Sequence, residues 1–315
     1  MKAMIITAFG GPEVFQAADW PKPVPQATEL LVRIHATALN PVDWKIREAG
    51  AWARVQPPAI LGYDTAGVVE AVGASVKAFK PGDEVYYSPD IWGLPGACAE
   101  YHVVDESIVA LKPKSLTFDQ AAALPLAGMT AWDAMEFFQL QPGDTILVHA
   151  AAGGVGSLAV QMAKASGARV LATCRAENRD LVRSLGADVA IDYRAEDFAR
   201  AVLRETGGAG VDAVYDTVGN DNMARSMEAL RPYGRAMTCV GITTELPGAL
   251  FKNVLLRYGF MARTRAKLEM LSVLVERGQL RPVVDSILPL EQVAEGHRRL
   301  QAGGVRGKIV LHVAG

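Results

Sequence analysis

A strand, a turn of small residues and the opening of a helix fill residues 145–163, and no other stretch restricts the fold as much. Thr145-Ile-Leu-Val-His-Ala150 is an apolar run of strand length, Ala151 to Gly156 is all but free of large side chains, and a helical pattern opens near Val155. The turn fits the dinucleotide fingerprint with alanine in its first small position, Ala151-x-Gly153-x-x-Gly156. The first small residue allows the tight turn, Gly153 lets backbone approach a pyrophosphate, and Gly156 lets helix and strand pack closely. The helix N-terminus then offers N–H groups and a positive dipole end to the phosphates. Glycine-rich turns also serve plain chain reversal. Here strand and helix flank the turn on both sides, so a bound dinucleotide is predicted.

The end of the next strand tests which dinucleotide. In NAD-binding folds an acidic residue there holds the ribose 2′-hydroxyl. This strand, Arg169-Val-Leu-Ala-Thr173, is followed by Cys174 and Arg175. A missing carboxylate removes repulsion against a 2′-phosphate, and an adjacent guanidinium can grip one. NADPH is therefore expected over NADH. The plainer alternative leaves Arg175 as a solvated residue at a helix start.

Strand and helix alternate from residue 145 to about 241. Strands are predicted at 145–150, 169–173, 188–191, 211–215 and 235–240, with helices near 155–166, 177–185, 195–206 and 221–230. Short apolar strands spaced by helices predict a parallel, doubly wound α/β sheet covered on both faces. Residues 1–118 read differently. Strands at 2–6, 29–35, 65–70 and 83–87 are broken by Gly and Pro turns, which predicts an antiparallel, barrel-like domain. Helices near 265–277 and 291–301 precede a last strand, Lys308-Ile-Val-Leu-His-Val313, which can return to complete the first domain.

The 315 residues suffice for two cores. Half the residues are hydrophobic, 21% are charged, and the formal net charge is −2, so neither the field nor the basic runs expected of a nucleic-acid binder are present. Three scattered cysteines, at 98, 174 and 239, build no disulfide framework and suit a reducing cytoplasm. No membrane span is expected, because the one uncharged run of such length, 145–163, is the strand–turn–helix itself, and the start is not that of a signal peptide.

Several segments recur together in one family. They are Ala38-Leu-Asn-Pro-Val-Asp-Trp-Lys45, Leu61-Gly-Tyr-Asp-Thr-Ala-Gly-Val-Val69, Pro81-Gly-Asp-Glu-Val-Tyr86, Ala99-Glu-Tyr101, Ala121-Ala-Ala-Leu-Pro125 and Ala150-Ala-Ala-Gly-Gly-Val-Gly156, followed by Ser184-Leu-Gly-Ala-Asp-Val-Ala-Ile-Asp-Tyr193 and Tyr215-Asp-Thr-Val-Gly219. In these the chain resembles the zinc-independent quinone and enone (2-alkenal) reductases of the medium-chain dehydrogenase/reductase superfamily. The resemblance implies a GroES-like domain over 1–120, completed by about 265–315, and a Rossmann domain over 121–264. It implies NADPH bound between the two, and a homodimer formed by the last Rossmann strands near Tyr258-Gly-Phe-Met261.

Metal-dependent relatives hold zinc with Cys, His and Cys or Glu side chains. Here the first ligand position resembles Asn40, and the usual Gly-His-Glu has become Gly62-Tyr63-Asp64. Amide and phenol groups are poor zinc ligands, so no metal is expected. Without one, the economical chemistry is hydride donation to a quinone or to an alkene conjugated with a carbonyl, where charge delocalises onto oxygen. The resemblance places Asn40 and Thr130 beside the nicotinamide and Tyr193 against the 2′-phosphate. Asn178 stands where relatives often carry lysine, with Arg175 as compensation. Cofactor contacts are expected from Asn40, Thr130, Ala151, Gly153, Gly154, Val155, Gly156, Thr173, Cys174, Arg175, Tyr193, Val218 and Val240. Asn40 can also cap a turn, Thr130 can cap a helix start, and Asp43 is read as holding its loop. Asn40 and Tyr63 are the catalytic candidates. Tyr63 either donates a proton or fills, half-buried, the space left by the metal, the second being favoured. Lys45, Trp52 and Trp92 are candidates for the substrate-pocket wall. Two alternatives stand beside the reductase: a zinc-type alcohol dehydrogenase, and a non-catalytic NADPH-binding sensor or structural protein.

Overall fold

The computed structural model describes residues 1–246 and 248–313. Strands β1 (Lys2–Ile6), β2 (Phe15–Asp19) and β3 (Glu29–Ala38) lead to helix α1 (Pro41–Ala49). Next come β4 (Ala59–Ile60), β5 (Thr65–Val72), β6 (Glu84–Tyr87), β7 (Tyr101–Asp105), β8 (Val109–Leu111), α2 (Phe118–Ala122) and α3 (Pro125–Phe138). The alternating part runs β9 (Thr145–Val148), α4 (Gly154–Ala165), β10 (Arg169–Cys174), α5 (Arg179–Ser184), β11 (Val189–Asp192), α6 (Phe198–Glu205), β12 (Val211–Asp216), α7 (Asn222–Ala229), β13 (Leu230–Thr238) and β14 (Leu255–Tyr258). It is followed by α8 (Arg265–Glu276), β15 (Val284–Pro289), α9 (Val293–Ala302) and β16 (Lys308–His312). The chain divides into two units, Met1–Met129 with the segment from Ala262 onward, and Thr130–Met261. The first break falls later than residue 120 because α2 packs on β3 and β5 of the first unit.

In the first unit the main sheet has the order β15-β16-β3-β5-β6-β8, with β7 also on β3, beside a small sheet β2-β1-β4. β16 pairs antiparallel with β3, Val310 opposite Ala38, so the last strand does return to the first unit. β15 runs parallel to β16, which departs from the antiparallel expectation. Parallel neighbours need a crossover, and α9 supplies it. Helix α1 had no counterpart in the periodicity, although its start signals are present: Asn40 at the N-cap, Pro41 in the first turn and Asp43 two residues on.

The second unit is one parallel sheet, β11-β10-β9-β12-β13-β14, the doubly wound order that reverses between β9 and β12. Its central strands are apolar because both faces are covered: Ile146, Leu147, Val148, Val170, Leu171 and Val214 are all fully buried. Helix α6 shows how local chemistry sets the boundaries. Asp197 caps its start by accepting from Arg200 N at 2.8 Å, so the helix opens at 198, later than its periodicity suggested. It buries Phe198, Ala201 and Val202, spaced for one face. β13 starts at Leu230, earlier than expected, and closes at Thr238, whose hydroxyl accepts from Val240 N at 3.2 Å. No helix among the described residues is long and apolar enough to cross a membrane.

Candidate active site

The turn after β9 is built around a backbone reversal. Ala150 takes a positive φ of 46°, a conformation L-residues adopt at a cost, and the neighbours fix it there. Its N–H donates to Thr173 Oγ1 at 3.2 Å, the next amide, Ala151 N, donates to Thr173 O at 3.0 Å, and Gly153 N donates back to Ala150 O at 2.9 Å. The Thr173 hydroxyl also meets His149 Nδ1 at 3.1 Å, while His149 Nε2 meets Ser226 Oγ at 3.0 Å. Burial pushes this imidazole down to about 4, so the ring is neutral and bridges β10 and α7 as one donor and one acceptor. Gly153 is the N-cap of α4. A Cβ on Gly156 would lie 2.4 Å from Ala150 O, so only glycine permits this closeness of helix and turn. Ala151 and Gly156 are buried, while Gly153, Gly154 and Val155 are partly open, presenting first-turn amides that have no acceptor within the helix.

At the end of β10, Thr173 and Cys174 are buried, and burial pushes the Cys174 thiol up to about 11. Both act as interior residues. The partly exposed Arg175 places Nε 3.5 Å from the hydroxyl of the exposed Tyr193. The structure therefore brings these two together, and leaves Asn178 buried, with Oδ1 lacking a partner. After β12, Asp216 is fully buried, and its carboxylate gathers Val218 N at 2.9 Å, Gly219 N at 3.2 Å and Asn222 Nδ2 at 2.8 Å. That shapes the loop carrying the exposed Val218. Val218 and Val240 both follow C-terminal strand ends, the side on which open α/β sheets bind ligands. Thr130 lies well inside α3 rather than at its start, which removes the helix-start capping alternative; its carbonyl accepts the Tyr215 hydroxyl at 3.1 Å.

In the first unit a buried polar group joins residues far apart in the chain. The Lys308 ammonium donates to Asn40 Oδ1 and, at 2.9 Å, to Asp64 Oδ2. Asn40 Nδ2 donates to the same Asp64 oxygen at 2.9 Å and to Ala38 O at 3.3 Å. Asp64 Oδ1 accepts from Leu126 N at 2.6 Å. Both amide N–H bonds of Asn40 are thus committed, and its spare capacity is a lone pair on Oδ1. Asn40 can accept a hydrogen bond from a ligand, but in this arrangement it has no proton to donate to one. Asp43 accepts from Asn40 N through one oxygen, and its other oxygen is buried without a partner. Burial pushes this carboxyl up to about 7. Burial raises both carboxyls, but only Asp64 touches the ammonium, which opposes the rise there and leaves Asp43 as the one without a cationic partner.

Gly62, with φ of 109° and no room for a Cβ beside Cys98 Sγ at 2.8 Å, turns the chain so that Tyr63 points inward. Tyr63 is fully buried, not half-buried; its hydroxyl has no partner, and burial holds the phenol far above its usual range. Trp52 and Trp92 meet edge to face, with centroids 6.1 Å apart, and both rings are exposed. Lys45 is exposed and lies 5.8 Å from the Trp44 ring. Sequence reasoning missed Lys308, Arg263, His149 and Asp216. None of them stands at a spacing that marks it in the sequence.

Comparison with known proteins places the chain. Residues 26–114 match the alcohol dehydrogenase GroES-like domain, and residues 185–311 match the zinc-binding dehydrogenase family. The chain is 38% identical to a 2-methylene-furan-3-one reductase of Solanum lycopersicum and 37% identical to a chloroplastic NADPH-dependent alkenal/one oxidoreductase of Arabidopsis thaliana, over 99% of this chain and 79% of each relative. It is 35% identical to a quinone oxidoreductase of Pseudomonas aeruginosa, over 98% of this chain and 99% of that one. Among solved structures, an NAD-dependent alcohol dehydrogenase superposes with a TM-score of 0.94 at 37% identity, each chain fully covered. The quinone oxidoreductase of Escherichia coli complexed with NADPH gives 0.89 at 31% identity, over 99% of this chain and all of that one. The chain belongs to the medium-chain dehydrogenase/reductase superfamily, with a GroES-like and a Rossmann unit.

One matched family is described as binding zinc, and the donor set here does not fit that ion. Zinc takes Cys, His or carboxylate donors, usually three or four of them. Among the described residues no three such groups gather, and the one carboxylate at the expected place, Asp64, is paired with an ammonium.

Proposed function

We propose that this protein is an NADPH-dependent, metal-free reductase of quinones or of the C=C bond of α,β-unsaturated carbonyls, enones and 2-alkenals. The observation that carries the reading is the end of β10, where Cys174 takes the place of the ribose-binding carboxylate and Arg175, 4.0 Å from Glu177, lies beside Tyr193. The chemistry named for the curated relatives supports it. When bound, NADPH supplies the hydride. The first-turn amides of α4 hold its pyrophosphate, and Arg175 and Tyr193 hold its 2′-phosphate. Thr130, Val218 and Val240 contact the cofactor, Ala151 and Thr173 shape the turn, and Cys174 contributes by the charge it lacks. Asn40 accepts from a cofactor hydroxyl. Trp52 and Trp92 wall the substrate, with Lys45 at the margin, and Tyr63 fills the space beside Asp64. NADPH oxidation followed with quinones, 2-alkenals, cyclic enones and simple aldehydes tests this. Turnover with conjugated acceptors and none with simple aldehydes is expected, and the reverse pattern rejects it.

We also infer a homodimer in the cytoplasm. β14 is the sheet edge, and Leu255, Leu256 and Tyr258 on it are exposed, an apolar edge of the kind proteins cover. Sedimentation should give twice the 33.6 kDa chain mass. A mass that stays at one chain across micromolar concentrations rejects the dimer.

A further inference from the structure

Reduction of an enone needs a donor for the oxygen on which charge collects. Hydride forms a new C–H bond at the β-carbon and the C=C π bond breaks. Its electron pair moves toward the carbonyl, leaving an enolate that later takes a proton from solvent at the α-carbon, while NADPH becomes NADP⁺. Quinones place the charge on oxygen in the same way. The polar groups of the first unit can be sorted by unspent donor capacity. Asn40 has none, since both its N–H bonds are committed. Lys308 has two of its three donors committed to buried acceptors. The hydroxyl of Tyr63 is sealed, on a side chain with no exposed surface.

Arg263 is different. Its side chain is 9% exposed, so it is nearly buried yet still reachable. Nε donates to Pro89 O at 2.8 Å. Nη1 stands 3.9 Å from Asp90, too far for a hydrogen bond. Of five guanidinium donors one is therefore used among the described residues. The carboxylates of Asp90 and, more weakly, Asp64 act on its charge. The strand end that holds it continues into the aromatic wall: Ser88 Oγ donates to Tyr63 O at 2.7 Å, and Trp92 follows two residues after Asp90.

We propose that Arg263 is the residue that binds the carbonyl oxygen of the substrate and stabilises the enolate or hydroquinone oxyanion as it forms. A poorly solvated guanidinium, fixed by its Pro89 bond and only loosely countered by Asp90, holds a positive charge where a metal-free enzyme needs one. This rests on the reductase reading above, and its test is kept separate from turnover.

The probe is para-nitrophenol, whose phenolate is planar, conjugated and anionic, and whose colour reports ionisation. With NADP⁺ present, the wild type should bind the phenolate form in preference to the phenol. Arg263→Met should weaken phenolate binding at least tenfold, Arg263→Lys should recover part, and Asp90→Asn, by removing the opposing charge, should tighten it severalfold. NADP⁺ affinity, read by protein fluorescence, should stay within about twofold throughout. If Arg263→Met does not fold, Arg263→Lys and Asp90→Asn still decide. Phenolate binding that neither weakens on changing Arg263 nor tightens on changing Asp90 overturns the proposal. A wild type that binds phenolate through Arg263 yet turns over no enone or quinone would leave this site standing and remove the reductase reading instead.

Discussion

Replacing Asp43 by Asn should change how stability depends on pH, with a sign fixed by the buried group around Asn40. Asp43 is fully buried and unpaired at one oxygen, and burial lifts its carboxyl from 3.8 to about 7. The folded-state value lies above the unfolded one. Between about pH 4 and pH 7, therefore, the folded protein holds a proton that the unfolded chain has released. The stability gained by keeping it is complete below pH 4 and is lost as pH rises through 7. Three pH units at 1.36 kcal/mol each set a ceiling of ~4 kcal/mol. Three buried imidazoles act in the opposite sense: burial pushes His102 and His149 down to about 4 and His297 to about 3, and their contribution is lost as pH falls. The wild-type profile mixes both signs, and the difference between variant and wild type isolates Asp43. Asparagine keeps an acceptor for Asn40 N and resembles the protonated acid in shape. Asp43→Asn should match the wild type near pH 4.5 and exceed it at pH 8 by up to ~4 kcal/mol. Urea unfolding read by tryptophan fluorescence suits this, because Trp20, Trp44, Trp52 and Trp92 all lie in the unit that holds Asp43. A stability difference that is the same at pH 5 and pH 8 refutes the reasoning.

Three further changes probe the rest of the site. Arg175→Ala with Tyr193→Phe should cut the preference for NADPH over NADH about tenfold or more, since a charge-assisted bond of ~1.5–3 kcal/mol is lost; an unchanged ratio of kcat/KM values would remove these residues from the 2′-phosphate. Gly156→Ala forces a methyl to within 2.4 Å of Ala150 O, so the turn must shift, and NADPH affinity by fluorescence titration should fall at least tenfold; equal affinity would mean that the turn does not hold the pyrophosphate. Lys308→Met strands the buried Asp64 charge and should cost about 3–5 kcal/mol in urea unfolding, most of it recovered when Asp64→Asn is added; a single variant as stable as the wild type would contradict the ion pair.

The second unit was legible in the sequence because its determinants are local. Thr145 to Gly156 carries strand, turn and helix start in twelve residues, and each small residue has a steric task the structure reproduces. Strands β9 to β13 were found to within a few residues, apart from the early start of β13, because fully buried strands are unbroken apolar runs, whereas β14, exposed along its whole length, was not among the strands read from the pattern. Cys174 shows the limit. Position after a strand signals the missing carboxylate, but only coordinates show that the thiol faces the interior, so that Arg175 and Tyr193 supply the polar surface. His149 and Asp216 escaped notice because a buried polar residue is recognised by its partners, and those come from β10, α7 and the loop after β12.

The first unit hid more because its chemistry is assembled over long separations. Lys308 reaches Asn40 across 268 residues and Asp64 across 244, and at the start of a strand a lysine reads as a solvated end. The charge that Asn40 and Asp64 surround is the ammonium of Lys308, which is covalently bound. An ammonium can orient an amide and neutralise Asp64, yet it has no vacant coordination position and cannot take a substrate oxygen into a shared shell as zinc does. The buried ion pair therefore limits what this centre can activate by itself. At an unconjugated carbonyl the whole charge develops on one oxygen and needs a proton or a strong donor there, and Asn40, with both N–H bonds committed, offers none. In an acceptor whose own conjugation carries the charge to oxygen, one well-placed donor at that oxygen is sufficient. The committed donors of Asn40 and the paired charge of Lys308 thus point in the same direction as the conjugated acceptors proposed for this protein.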